Sequence, residues 1–390
     1  MRSAHLPRRL LLAGAGSAAV AAVTACQSRA ATSPTSGATT PPSGDRATDE
    51  AALRRKVASL LVVGFRGERL NGDDWIIKAV RDGLGGVILF DRDLETETVR
   101  NIRSPGQVTA LVKTLKEASP GRLIVSIDQE GGRTSRLNPS NGFPATKSQA
   151  EIGAQNSPPV TREWARGLVD SLTRIGVTLN YAPVVDLNVN PESRAIGKLD
   201  RSFSADPAVV VSNASEEIRA HRAAGVKTSL KHFPGSGSAA GNTDFEVVDV
   251  GSTWKPRELE PFERLIRAGL ADSVMAAHVL NRQLDPTYPA SLSPAVVTDL
   301  LRQRLGWQGP VVSDDMQAVA ITRRYGSEEA VALGLRAGLD LLVFANQQVY
   351  DPDVVDKTLD TVVGLVRSGR LTEARIDESV ARVDTLRPKR

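Results

Sequence analysis

Histidine and cysteine are scarce in this chain, with four of the first and one of the second. So few soft donors leave little from which to build a transition-metal centre, and no structural zinc or other metal site is expected. A Gly-rich phosphate fingerprint is also missing after the first β-type run, Leu60 to Phe65, so nothing calls for a dinucleotide, and no cofactor is expected. A concentrated basic face is absent too. Lys and Arg total 49 against 45 acids, and the first 26 residues contain Arg2, Arg8 and Arg9 but no acid, which leaves 46 against 45 beyond them. Such a near-neutral balance disfavours a nucleic-acid partner, which needs a dense basic surface. The apolar run from Leu10 to Ala22 is too short to span a bilayer permanently.

What is present at the N-terminus reads as an address. Arg8 and Arg9 precede the apolar run and Val23-Thr24-Ala25-Cys26 closes it, the pattern of a secretory signal followed by a cleavage site. A cysteine directly after V-T-A resembles the lipobox of bacterial lipoproteins, in which that residue receives the lipid and becomes the mature N-terminus. No other thiol competes for the role, so Cys26 is the expected lipid attachment site and residues 1–26 the signal peptide. The Arg8-Arg9 pair leaves Sec and twin-arginine export both open. Residues 27–48 are Ser, Thr, Pro, Gly and Ala with almost no large apolar side chain, which cannot bury enough surface to order itself. The expectation is a disordered tether that holds a folded domain, residues 49–390, off the outer face of the membrane. The lipid is then the only membrane contact.

Within that domain apolar β-type runs alternate with amphipathic stretches. The runs fall at 60–65, 86–90, 123–127, 177–185, 226–230, 273–280, 310–313 and 339–344. They are continuous rather than alternating, the mark of parallel strands covered by helices. Eight such units in one chain of this length fit a (β/α)8 TIM-type barrel, with an open doubly wound sheet as the alternative.

In a barrel of this kind function sits at the C-terminal strand ends, and polar groups crowd there. The third unit ends in Asp128-Gln129-Glu130-Gly131-Gly132-Arg133, with Arg136 beyond. The fourth carries Asp186, Asn188 and Arg201, the fifth Lys231 and His232, the sixth His278, and the seventh Ser313-Asp314-Asp315. Carboxylates interleaved with Arg, Lys and His suit a small, neutral, hydroxyl-rich ligand, since each hydroxyl can donate to an anion and accept from a cation. Carbohydrate is the expected substrate.

Six segments carry a resemblance: IDQEGGRTSRL (Ile127 to Leu137), NYAPVVDLNVNP (Asn180 to Pro191), AIGKLDRSF (Ala195 to Phe203), KHFPGSG (Lys231 to Gly237), VMAAHV (Val274 to Val279) and VVSDDM (Val311 to Met316). Together, and in this order, they resemble glycoside hydrolase family 3, more narrowly its bacterial β-N-acetylglucosaminidases, lipoprotein members included. The resemblance implies a retaining exo-glycosidase acting on terminal β-linked N-acetylhexosamine, with Asp314 as nucleophile and Asp128, Arg136, Arg201, Lys231 and His232 binding the sugar. A monomer is expected.

The chemistry agrees with those roles. A retaining glycosidase needs an attacking carboxylate and a partner acid, usually about 5–5.5 Å apart. Asp314 ends a strand and is rigidly held. Asp315 points the other way if the strand continues, and reads as structural. Asp128, among cations, is expected to stay an ionised acceptor for hydroxyls. The departure lies in the loop after Lys231. Similar enzymes have KHFPGHG and, further on, a G-D-S/T-H segment whose Asp-His pair is the acid/base, whereas this chain has Ser236, Asn242 and Asp244 at those places. An aspartic acid titrates near 3.9 unperturbed and must be raised by burial or a nearby negative charge to hold a proton. Asp314 can supply that charge if the loop closes, which makes Asp244 the expected acid/base and Glu246 the reserve. Two other readings stay open: a degenerate relative that binds amino sugars without turnover, and an aldolase-type barrel that forms a Schiff base on Lys231.

Overall fold

Eight parallel strands close on themselves: β1 (Leu61–Gly64), β2 (Gly86–Ile88), β3 (Ile124–Ile127), β4 (Leu179–Asn180), β5 (Lys227–Phe233), β6 (Ser273–Ala276), β7 (Val311–Asp315) and β8 (Leu341–Phe344). The seal is β1 against β8, with Leu61 opposite Leu342 and Val63 opposite Phe344. This closure is the expected (β/α)8 barrel and excludes the open doubly wound sheet. The structure is a computed structural model that describes residues 43–389. The expected signal segment, Cys26 and residues 27–42 of the expected tether lie outside the described residues.

The strands are buried along their length because helices cover the barrel, which is why they read as unbroken apolar runs. Local sequence sets the helix ends. Ser104 accepts from the Gln107 amide ahead of Pro105, and Asp206 accepts from the Ala208 amide ahead of Pro207. Ser148 and Glu151 form a reciprocal capping box. At the N-terminal face of the barrel, Asp340 at the start of the last strand unit receives Arg302, Arg375 and Arg382, a pinned base opposite the functional mouth. Among the described residues, no helix is long and apolar enough to cross a membrane.

Four boundaries differ from expectation. The first helix, Ser43–Ala58, begins inside the stretch expected as tether, because once the Ala/Leu/Arg/Lys-rich segment after Asp49 is helical each preceding residue adds a hydrogen bond at little cost. The long run 177–185 yields only the two-residue β4. Pro183 cannot donate to the ladder, and the chain continues beside β5 through a single bridge, Val184 to Lys231. β5 instead runs on to Phe233, so Lys231 and His232 are strand residues and the break falls at Pro234. The helix of the seventh unit, which the sequence pattern places near Glu328 to Ala337, begins at Val319 and turns at Gly326 (φ 72°).

Register is also irregular where function is expected. β5 and β6 slip between Leu230 and Phe233, and β7 and β8 slip between Leu341 and Val343 opposite Asp315. Such slips re-aim side chains at the ends of barrel strands.

Candidate active site

The C-terminal mouth is organised around one buried ammonium. Lys231 donates to Asp128 Oδ1 at 2.7 Å and sits 2.6 Å from Glu130 Oε1. Glu130 in turn takes both arms of Arg201, at 2.8 and 2.7 Å, while Arg201 Nη1 donates to the Ala195 carbonyl at 2.8 Å. Asp128 and Glu130 come close because β3 runs into a small hairpin, Gln129–Gly131 paired with Thr134–Ser135, whose Gln129 backbone is gripped on both sides by the Asn180 amide group. Arg136 leaves the same hairpin. Its guanidinium lies 3.7 Å from Asp128 Oδ2 and 5.2 Å from the centre of the Phe90 ring.

His232 extends the network. Its Nδ1 is 2.7 Å from Asp186 Oδ2, so the carboxylate accepts that proton and Nε2 is left facing Arg201 Nη2 at 3.4 Å. Burial opposes the charges of Glu130, Arg201 and Lys231, yet these charges hold one another. Arg201 and Lys231 overcome burial and keep Glu130 well below the usual carboxylate range. Asp128 and Glu130 likewise overcome burial and raise Lys231. A Schiff-base enzyme needs a lysine that loses its proton readily, and Lys231 is held as an ammonium between two carboxylates. That arrangement removes the aldolase reading.

Asp314 lies half-buried at the end of β7, and one of its oxygens accepts the Asp315 amide at 2.9 Å. Burial pushes its pKa up, but His278 and His232, with that amide and Lys231, outweigh burial and hold it below the ordinary value. His278 is fixed by Ser291 Oγ at 2.6 Å and the Asp315 carbonyl at 2.8 Å. Asp315 points elsewhere, as its structural role requires: Oδ1 accepts the amides of Gln317 and Ala345 at 3.1 and 3.0 Å, tying β7 to the exit of β8.

The loop after Pro234 folds back over this mouth. Gly235 takes a left-handed conformation (φ 111°), and a Cβ at Gly237 would overlap the Leu187 carbonyl. Ser236 donates its amide to Asp186 Oδ1 at 2.7 Å, and Ser238 donates to Glu258 Oε2 at 3.2 Å. Further along, the amides of Val319 and Ala320 donate to the carbonyls of Asp244 and Thr243 at 3.2 and 3.1 Å. Those donors belong to the first turn of the helix that follows β7, which has no partners of its own for them. The loop that carries Asp244 is therefore fastened to the helix that follows the Asp314 strand.

Asn242 accepts the Asp244 amide at 2.9 Å and shapes the turn. Asp244 is pushed up to about 6, first by burial and then by the charge of Asp314, against the pull of Arg201 and His232. The reserve candidate, Glu246, pairs with Arg194 on the outer side of the loop.

The five expected sugar contacts, Asp128, Arg136, Arg201, Lys231 and His232, thus form one connected patch, with Asp314 and Asp244 in electrostatic contact beside it. Glu130 and Asp186 were legible only as rim charges. The available signal was that two buried cations and a strand-end histidine need counter-ions of their own. Among the described residues, no group of three or more His, Cys, Asp and Glu is arranged to hold a metal ion.

Two carboxylates in contrasting environments at the mouth of a (β/α)8 barrel are the equipment of a glycoside hydrolase. Comparison with known proteins agrees. Residues 52–386 match the glycosyl hydrolase family 3 N terminal domain, and the chain belongs to that family. A curated β-hexosaminidase of Xylella fastidiosa is 35% identical over 316 residues, which span 78% of this chain and 87% of the relative. Among solved structures, a glycoside hydrolase family 3 β-N-acetylglucosaminidase from a Paenibacillus species matches with a TM-score of 0.77 and 34% identity, over 86% of this chain and 62% of that longer one. A family 3 glycosyl hydrolase from Mycobacterium smegmatis gives 0.74 and 32%, covering 87% and 99%.

Replacing Glu130 by Gln strips the shared counter-ion from Lys231 and Arg201. The expected result is a loss of about 3 kcal/mol in urea unfolding, as for other broken buried pairs. Unaltered stability would show that Glu130 is not what holds the two cations.

Proposed function

We propose that the protein is a retaining exo-glycosidase that removes terminal β-linked N-acetylhexosamine from cell-wall-derived or related glycans. The observation that carries this is the placement of two carboxyl groups at one mouth, Asp314 at the end of β7 and Asp244 on the loop that the helix after β7 holds there, the first lowered and the second raised to about 6. Asp314, ionised, attacks the anomeric carbon while Asp244 gives its proton to the glycosidic oxygen, so the leaving sugar departs neutral and a glycosyl ester forms on Asp314. Asp244, now a carboxylate, takes a proton from a water that attacks the same carbon. The ester bond to Asp314 breaks, and the anomeric configuration is retained. Asp128, Arg136, Arg201, Lys231 and His232 hold the sugar hydroxyls, and their mutual pairing means they need little reorganisation when the sugar arrives. The N-acetyl preference is supported by the names of the relatives, β-hexosaminidase and β-N-acetylglucosaminidase. A relative that only bound sugar would have no use for a carboxyl poised near 6 beside an ionised one, which favours turnover.

The sign of the pH dependence follows from these roles. The nucleophile must be ionised and the acid protonated, so kcat/KM for an alkyl glycoside falls as pH rises through about 6, where Asp244 loses its proton. For an aryl glycoside whose phenolate leaves unaided, that limb is weak. Asp314→Ala abolishes turnover of both. Asp244→Asn slows the alkyl substrate about 100-fold or more and spares the aryl one at the glycosylation step. It also removes the limb, which assigns it, since Asp315, raised to about 7, is left intact. Full alkyl-glycoside activity in Asp244→Asn would contradict the assignment.

The same proposal has the enzyme exported and held at the outer face of the membrane by a lipid on Cys26, on the strength of the V-T-A-C pattern. Cys26→Ala is expected to move the full-length protein from the membrane to the soluble fraction. A wild-type-like membrane fraction would rule the anchor out.

A further inference from the structure

Six large apolar side chains are exposed among the described residues: Leu94, Val99, Val189, Phe245, Val247 and Val349. All six lie on loops that follow the C-terminal ends of barrel strands, after β2, β4, β5 and β8, and none lies on the covering helices. Single exposed apolar residues are ordinary, but their confinement to one rim marks a surface that meets a ligand. Phe245 differs from the rest. It is 60% exposed and is the one exposed aromatic among the described residues.

Its place in the loop gives it a partner. The amides of Phe245 and Glu246 both donate to the Asn242 carbonyl, at 3.2 and 3.1 Å, closing a tight turn with Asp244 inside it. Asp244 is tied through its carbonyl to the Val319 amide at the start of the helix after β7, Glu246 is drawn off to Arg194, and Phe245 is left open to solvent between them. An acid must reach the oxygen of the bond it breaks, so the ring that owns this oxygen stands next to Asp244 on the outward side. The next Cα along the chain is about 3.8 Å away. Neighbouring residues of that side of the rim fix the turn: Asn190 reaches the Ala239 carbonyl at 3.4 Å and Arg194 pairs with Glu246, so the ring of Phe245 projects from a held loop.

We propose that Phe245 is a specificity-determining platform for the leaving group, packing its ring against the apolar face of the second sugar of a β-linked oligosaccharide. A pyranose has such a face because its axial hydrogens line one side, and an aromatic ring buries it at low conformational cost. This rests on the reading of Asp244 as the acid, and it makes a chain of sugars, rather than a simple alkyl glycoside, the preferred substrate.

The experiment compares N,N′-diacetylchitobiose with methyl β-N-acetylglucosaminide, whose leaving group has no ring. Phe245→Ala is expected to lower kcat/KM for chitobiose about tenfold, mostly through KM, to leave the methyl glycoside unchanged, and to be rescued by Phe245→Trp. Chitobiose binding to Asp314→Asn, followed by calorimetry, gives the same comparison without turnover, with Phe245→Ala weakening the affinity by a similar factor. Equal effects on both substrates, or no change in chitobiose binding, would overturn the platform. Failure of the acid assignment is read separately, from an Asp244→Asn variant that keeps its alkyl-glycoside rate, and does not alter the Phe245 comparison.

Discussion

Two carboxyl groups share one poorly solvated space at the barrel mouth, and ionising the second beside the first is what the surrounding structure has to accommodate. Between like charges a few ångströms apart in protein the repulsion is large enough to separate their titrations, so one member stays a base and the other keeps a proton. Which member does which is settled by neighbours. Burial raises both, but at Asp314 the histidines, a backbone amide and the Lys231 ammonium outweigh it, whereas at Asp244 burial and the charge of Asp314 outweigh Arg201 and His232. In the proposed mechanism the division of labour that glycoside chemistry needs is an electrostatic consequence of position, with an aspartate serving as the acid.

That position depends on backbone, not on the two side chains alone. The helix after β7 begins with amide donors that lack partners, and the Asp244 loop supplies two carbonyls to them. Gly237 lets the same loop press on the strand-four exit, and Asp186 links it to His232 by accepting from both Ser236 and the imidazole. Asp186 is thus a joint between the loop and the buried cations of the mouth. Beneath it, the alternation Asp128, Lys231, Glu130, Arg201 cancels charge pair by pair, so the polar patch survives burial while presenting oriented donors and acceptors.

Much of this could be read from the residues. Continuous apolar runs specify parallel strands with both faces covered, and the last polar residue of each run marks the mouth, so Asp314, Lys231 and Asp128 were identifiable before any coordinates. The reading was less sharp where local signals mislead. Lys231 and His232 look like the end of a strand because they are charged and precede Pro234, yet a counter-ion network keeps them within β5. The run 177–185 looks like a long strand, yet Pro183 interrupts the ladder. Glu130 could not be separated from ordinary rim charge, because its importance comes from Arg201, some seventy residues away, which only the closed barrel brings to it. The raised pKa of Asp244 was foreseeable as a requirement. The fastening beside it, backbone to backbone between the loop and the first turn of the helix after β7, leaves no mark in the side-chain pattern.

The most direct test is an NMR titration of the Asp244 carboxyl carbon, followed in the intact protein and in Asp314→Asn. A midpoint near 6 is expected in the first. A lower midpoint is expected in the second, still above the ordinary value because burial remains. A midpoint in the ordinary carboxylate range that does not move when Asp314 loses its charge would contradict the claim that the two groups titrate as a pair.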